Sequence, residues 1–220
     1  MTVRPAALAL ALLLSFPTLA TTPAASAQTL PTVQLALAGI NAYDAGDFDQ
    51  AARCFHIAGR RGNRLAQYNY AIMLARGETS SAEPNPVWRW LRRASLSGLP
   101  QAQYAFALLY TNGDGVSRNP RTAAQWYLKA AVQGHAAAQT ALAHQLLDGA
   151  GVPRDERLAA RWFGAAARAG DRDAQRELAQ LFETGEGVDQ DLAAARYWYD
   201  RAARQGDAHA RERLRILGGD

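Results

Sequence analysis

Residues Gln101 to His135 read QAQYAFALLYTNGDGVSRNPRTAAQWYLKAAVQGH, and this stretch decides the fold. It reads as a helix, a glycine turn and a second helix, and the chain repeats it without an insertion. Gly62, Gly98, Gly134, Gly170 and Gly206 recur every 36 residues; so do Ala66, Ala102, Ala138, Ala174 and Ala210. Gly77, Gly113, Gly149 and Gly185 keep the same step, as do Trp90, Trp126, Trp162 and Trp198. Independent rows in one register mean an internal repeat, and a period of this size belongs to helical solenoids. The expected class is therefore all-α, a stack of antiparallel helix pairs.

Within the second helix, Ala123, Trp126 and Ala130 lie at i, i+3 and i+7 and form one apolar stripe. The alanines let helices approach, and the tryptophan is expected to fill the gap to the neighbouring repeat, as core rather than as a ligand cage. The first glycine of Gly113-Asp114-Gly115-Val116 is expected to end the first helix in the left-handed region, where a side chain costs roughly 1–2 kcal/mol. This Gly-x-Gly is not a phosphate loop, since no Gly-Lys-Ser/Thr follows it and no strand precedes it.

The register resembles the Sel-1-like repeat (SLR) family, relatives of the tetratricopeptide repeats. The residues that carry the likeness in this stretch are Ala102, Gln103, Tyr110, Gly113, Gly115, Val116, Ala123, Trp126, Ala130, Ala131 and Gly134. The resemblance implies a right-handed α-solenoid that binds proteins, with the first helix of each pair lining the concave side. It implies no reaction. Exported members include proteins that restrain a sensor kinase and others that engage cell-wall enzymes.

Four segments follow. Residues 1–27 read as a cleavable export signal: Arg4, an apolar run from Ala6 to Leu14, and Ala25-Ser26-Ala27 as the cleavage site. The apolar run is too short to span about 30 Å of hydrocarbon comfortably, and an uncleaved anchor is the alternative. The mature chain is expected from Gln28, in the periplasm or beyond, with no membrane span. Residues 28–63 read as a tetratricopeptide-like first pair, with helices near Val33–Ala45 and Phe48–Arg60, Gly46 as a C-terminal cap and Asp47 capping the next helix. Residues 64–207 hold four 36-residue SLR units, the first of them with a degenerate loop, Gly77 to Pro86, that lacks the second glycine and the valine. Residues 208–220 read as a C-terminal capping helix, with Arg215 in the row of Ala71, Ala107, Ala143 and Ala179.

The formal net charge is +4, and all but one of the basic residues are arginine, Lys129 being the lone lysine. Arg154, Arg157, Arg161 and Arg168 alternate with acids and read as a solvated helix face, not as a nucleic-acid surface. Cys54 is the only cysteine and falls in the tryptophan row, which makes it a small buried hydrophobe. His56, His135, His144 and His209 show no metal-ligand spacing on one helix face. No Ser-x-x-Lys or Gly-x-Ser-x-Gly occurs, so no cofactor, metal or catalytic constellation is expected. The chain also lacks the paired cysteines of the β-lactamase-like secreted members of the family.

What remains is a binding surface for a protein partner, and no nucleic acid. The candidate residues on the first helix of each pair are Tyr68, Asn69, Ile72, Tyr104, Leu108, Asn112 and His144. The tyrosines and aliphatics would give an apolar patch and the asparagines hydrogen bonds. The competing reading is that these side chains pack between adjacent helices. The competing function is a cell-envelope hydrolase with a site between repeats, marked by His144 and Asp148 clustering with another titratable group.

Overall fold

The computed structural model describes residues 30–218, so the expected export signal lies outside the described residues. These residues form α-helices and no strand: α1 (Thr32–Asp44), α2 (Phe48–Arg60), α3 (Arg64–Arg76), α4 (Pro86–Leu96), α5 (Pro100–Asn112), α6 (Pro120–Ala131), α7 (Ala136–Asp148), α8 (Glu156–Arg168), α9 (Arg172–Thr184), α10 (Leu192–Arg204) and α11 (Ala208–Gly218). The chain divides within α4 into two compact units, residues 1–90 and 91–220.

The helices start and stop where short polar residues and glycine require it. Asp47, Asn63, Asn119, Asp155, Asp171 and Asp191 each accept a backbone N–H from the first turn of the helix they precede. The first helix of each SLR pair ends at Gly77, Gly113, Gly149 or Gly185, all left-handed as expected.

In the first unit α1 and α2 pair across the Gly46-Asp47 turn, and α3 packs on α2. A Cβ on Gly39 would lie 2.6 Å from the Phe55 ring, so this glycine sets how closely α1 meets α2. Cys54 is buried and free, in line with its sequence position. The degenerate loop is held at its start: the Tyr43 hydroxyl donates to Glu78 Oε1 at 3.0 Å, and Arg76 donates to the same hydroxyl at 2.8 Å.

In the second unit α5–α6, α7–α8 and α9–α10 are successive pairs, each packed on the next, and α11 packs on α10. Their small row Ala107, Ala143 and Ala179 is fully buried, whereas Arg215 in the same row is exposed. A polar residue there suits a helix with no further pair packed on that face.

The tryptophan row needs correction. Trp90 is fully buried, but Trp126, Trp162 and Trp198 are only half-buried. The deep aromatic row lies one residue on, at Tyr127, Phe163 and Tyr199. One residue turns a helix by about 100°. The inward stripe of α6 is thus Ala123, Ala124, Tyr127, Ala130 and Ala131, with Trp126 at its edge against Phe106 and under Lys129.

A glutamine ties each pair to the one before. Gln67, Gln103, Gln139 and Gln175 donate to the carbonyls of Gly59, Ser95, Ala131 and Ala167, eight residues back in every case. These carbonyls lie near helix C-termini, where backbone acceptors lack an intrahelical partner. The second glycine of the loop has its own cause: a Cβ on Gly151 would fall 2.3 Å from the Pro120 carbonyl carbon, and one on Gly187 2.4 Å from Glu156 O. The loop backbone thus lies directly on the start of the preceding repeat's second helix.

Candidate functional site

The candidate row Tyr68, Tyr104, Thr140, Arg176 occupies one position of the first helix in successive repeats. In the second unit that position reaches the N-cap of the next repeat, 31 residues on. The Tyr104 ring stacks on His135 with centroids 4.9 Å apart. Thr140 Oγ1 donates to Asp171 Oδ1 at 3.2 Å, and Arg176 Nε lies 3.7 Å from Asp207 Oδ2. Burial pushes the Tyr104 hydroxyl up and holds the His135 imidazole below the ordinary histidine value. Tyr104 is therefore an inter-repeat packing residue rather than an open contact, because its row points along the stack and not away from it.

The other candidates fall into three groups. Ile72 is 4% exposed and belongs to the core, and Tyr68 is half-buried. Asn69 and Ile72 line a small cleft of about 300 Å³ in the first unit, with Ile40, Tyr43 and Phe55. Leu108 is half-buried against the core of the second unit. His144 is half-buried and lies edge-on to Phe163 at 5.0 Å. Of the seven, only Asn112 is exposed, and it donates to Asp114 Oδ2. No group of three or more metal-ligating side chains occurs among the described residues, and no described helix is long and apolar enough to cross a membrane.

The surface that sequence reasoning missed lies between α8 and α10. An open groove is lined by Arg157, Arg161 and Arg168 on α8, and by Phe182, Val188 and Trp198. These arginines read from the sequence as a solvated face because the basic residues alternate with acids and lie at helix-surface spacing. In the structure the nearby acid Glu156 is taken by Arg154, which also reaches Glu186. The available signal was Gly164, a glycine inside α8 where the other repeats carry Arg92, Leu128 and Asp200. A Cβ there would meet only the Arg168 guanidinium, at 3.3 Å.

Comparison with known proteins agrees with this geometry. A Sel1 repeat model matches residues 34–63, 64–87, 100–135, 136–171 and 172–207. A protective antigen of uropathogenic Escherichia coli strains with an SLR fold aligns at TM-score 0.78 and 30% identity, over 83% of this chain and 40% of its own. A Sel1 repeat protein from Oxalobacter formigenes aligns at TM-score 0.76 and 30% identity, over 81% of this chain and 74% of its own. This chain thus spans well under half of the E. coli antigen's length. No curated protein matches it. Sel1 repeats generally mediate protein–protein interactions and typically serve as non-catalytic scaffolds. With its helix pairs, capping glycines and repeated glutamine ties, the chain belongs to the Sel1 repeat family.

Proposed function

We propose that this chain is an exported, non-catalytic adaptor or regulator of the cell envelope that acts by binding a protein partner. One observation carries the reading: His135, Glu183 and Cys54, three side chains able to do chemistry, are taken up by the framework. His135 caps α7 through Nδ1 and stacks on Tyr104. Glu183 is held by Tyr199 and Arg213, and Cys54 is buried with its thiol pushed up by that burial. Chemical variety is left to exposed positions that differ from repeat to repeat, which suits recognition of a partner. The export reading rests on Arg4, the apolar run and Ala25-Ser26-Ala27.

The test is cross-linking in cells followed by pull-down of the tagged chain, with fractionation and N-terminal sequencing. The expected result is a mature form beginning at Gln28 outside the cytoplasm, recovered with one dominant envelope protein. A chain retained in the cytoplasm, or one with no enriched protein, overturns the proposal.

A further inference from the structure

We propose that the groove between α8 and α10 is a docking site for a short acidic peptide segment that carries an apolar side chain. This deepens the adaptor reading and rests on it.

Charge favours such an occupant. Arg157, Arg161 and Arg168 line the groove without a carboxylate partner among the described residues. In the same unit Arg154, Arg172, Arg176, Arg204, Arg213 and Arg215 pair with acids, whereas Arg118, Arg121, Arg196, Arg201 and Arg211 pair with none among the described residues. What sets Arg157, Arg161 and Arg168 apart is that all three line one groove beside an apolar wall. The lining of the groove includes no acidic residue. Guanidinium groups present fixed charge and paired donors that match carboxylates.

The shape of the groove favours it too. Arg157, Arg161, Gly164 and Arg168 follow i, i+4, i+7, i+11 and share one face of α8. Glycine in a helix interior costs about 1 kcal/mol relative to alanine. Gly39 and Gly59 have a packing cause, since a Cβ would meet the rings of Phe55 and Trp90 at 2.6 and 2.9 Å. Gly164 has no such ring neighbour: it is buried under the Arg168 guanidinium, 3.3 Å from where a Cβ would lie, so the glycine lets that arginine lie down on the α8 face beside Arg161. The apolar wall of Phe182, Val188 and Trp198 lies alongside and can take one aliphatic or aromatic side chain. From Arg157 to Arg168 the helix rises about 16 Å, which about five extended residues cover. The occupant that fits is an extended segment of roughly that length, acidic at its ends and apolar at its centre.

The probe is a fluorescein-labelled peptide, Asp-Glu-Phe-Glu-Asp, titrated against the full mature chain by polarisation. Its controls are the isosteric Asn-Gln-Phe-Gln-Asn peptide, heparin and vesicles of anionic lipid as competitors. The acidic peptide should bind and weaken with salt. Arg157→Gln/Arg161→Gln should weaken it about tenfold, with an unchanged melting temperature. Gly164→Leu should displace the Arg168 head and fill the floor, and Arg215→Gln, which removes a paired arginine on α11, should change little. Equal binding of the neutral peptide, indifference to the double variant, or preference for heparin or lipid at the same arginines overturns the proposal. Recovery of a dominant envelope partner that the double variant still binds rejects this groove while the adaptor reading stands; recovery of no partner rejects the adaptor reading itself.

Discussion

The Tyr199 hydroxyl donates to Glu183 Oε2 at 2.9 Å, and Arg213 of α11 closes on the same carboxylate through Nε and Nη2. The group thus joins α9, α10 and α11. The Arg213 hydrogen bond is the main cause that holds Glu183 below the usual carboxylate range, while burial and the carboxylate push the Tyr199 hydroxyl up. A carboxylate depressed in the folded state contributes stability above its unfolded pKa, and that contribution is lost as pH falls through the folded value. Glu183→Gln should therefore melt below the wild type at neutral pH, and the two should converge as the pH falls below the carboxylate range. Thermal melts across that range check this; parallel curves would show that the charge does not matter. Tyr199→Phe should cost about 1–2 kcal/mol.

The same two positions recur in every repeat of the second unit, 16 residues apart. Thr111 Oγ1 lies 2.9 Å from the Tyr127 hydroxyl, whereas Leu147 and Phe163 occupy the equivalent places with no polar atom. This shows what was legible in the sequence. Glycine, alanine and tryptophan spacing revealed the helix pairs and their turns, because those roles demand one residue type. Contacts between repeats keep an offset and change their chemistry: tyrosine on histidine, threonine on aspartate, arginine on aspartate. A row such as Tyr68, Tyr104, Thr140, Arg176 therefore looks like a variable binding face when read down the repeats. The α8 groove stayed hidden for the opposite reason, since a helical run of arginines among acids gives no sign of which are already paired.

The loop glycines should separate strain from collision. Gly149 has φ +68°, and the nearest atom to an added Cβ is 3.7 Å away. Gly151 has φ +80° and would drive its Cβ into the Pro120–Arg121 backbone at 2.3 Å. Gly149→Ala should cost about 1–2 kcal/mol. Gly151→Ala adds overpacking of about 1–3 kcal/mol or more, against backbone that cannot rotate away. Denaturant unfolding of the two variants side by side checks the order, and equal costs would mean that the loop lifts off the preceding helix without penalty.

His135 links stability to pH in the second unit. Burial is the first cause that lowers its pKa, so the folded state prefers the neutral ring. Stability from a lowered histidine is present above the unfolded pKa and lost as pH falls through the ordinary histidine range. The wild type should weaken on acidification over that range, before the carboxylates titrate. His135→Asn should keep the cap, as Asn63 does for α3, and remove that step. Imidazole titration by NMR supplies the direct check: a His135 pKa at or above the ordinary value contradicts it. Tyr104→Ala should lower the melting temperature through the lost stack without altering partner binding per folded molecule.

The glutamine ties predict a stabilising substitution. Gln133 Nε2 donates to Gln103 Oε1 at 2.7 Å, and Gln205 Nε2 donates to Gln175 Oε1 at 2.7 Å, both from 30 residues ahead. Gln139 is buried as well, but its Oε1 has no protein partner, and the position 30 residues ahead is Ala169. Ala169 has φ −74° and ψ −2°, close to the −86° and 7° of Gln205, so a glutamine side chain can leave the backbone in the direction that Gln205 uses. Ala169→Gln should supply the missing donor, worth about 0.5–1.5 kcal/mol or a rise of about 1–6 °C in Tm. Gln139→Leu, which removes the acceptor, should lower stability by itself and abolish the gain from Ala169→Gln in the double variant. A gain that persists without Gln139 would assign it to helix propensity at Ala169 and refute the tie.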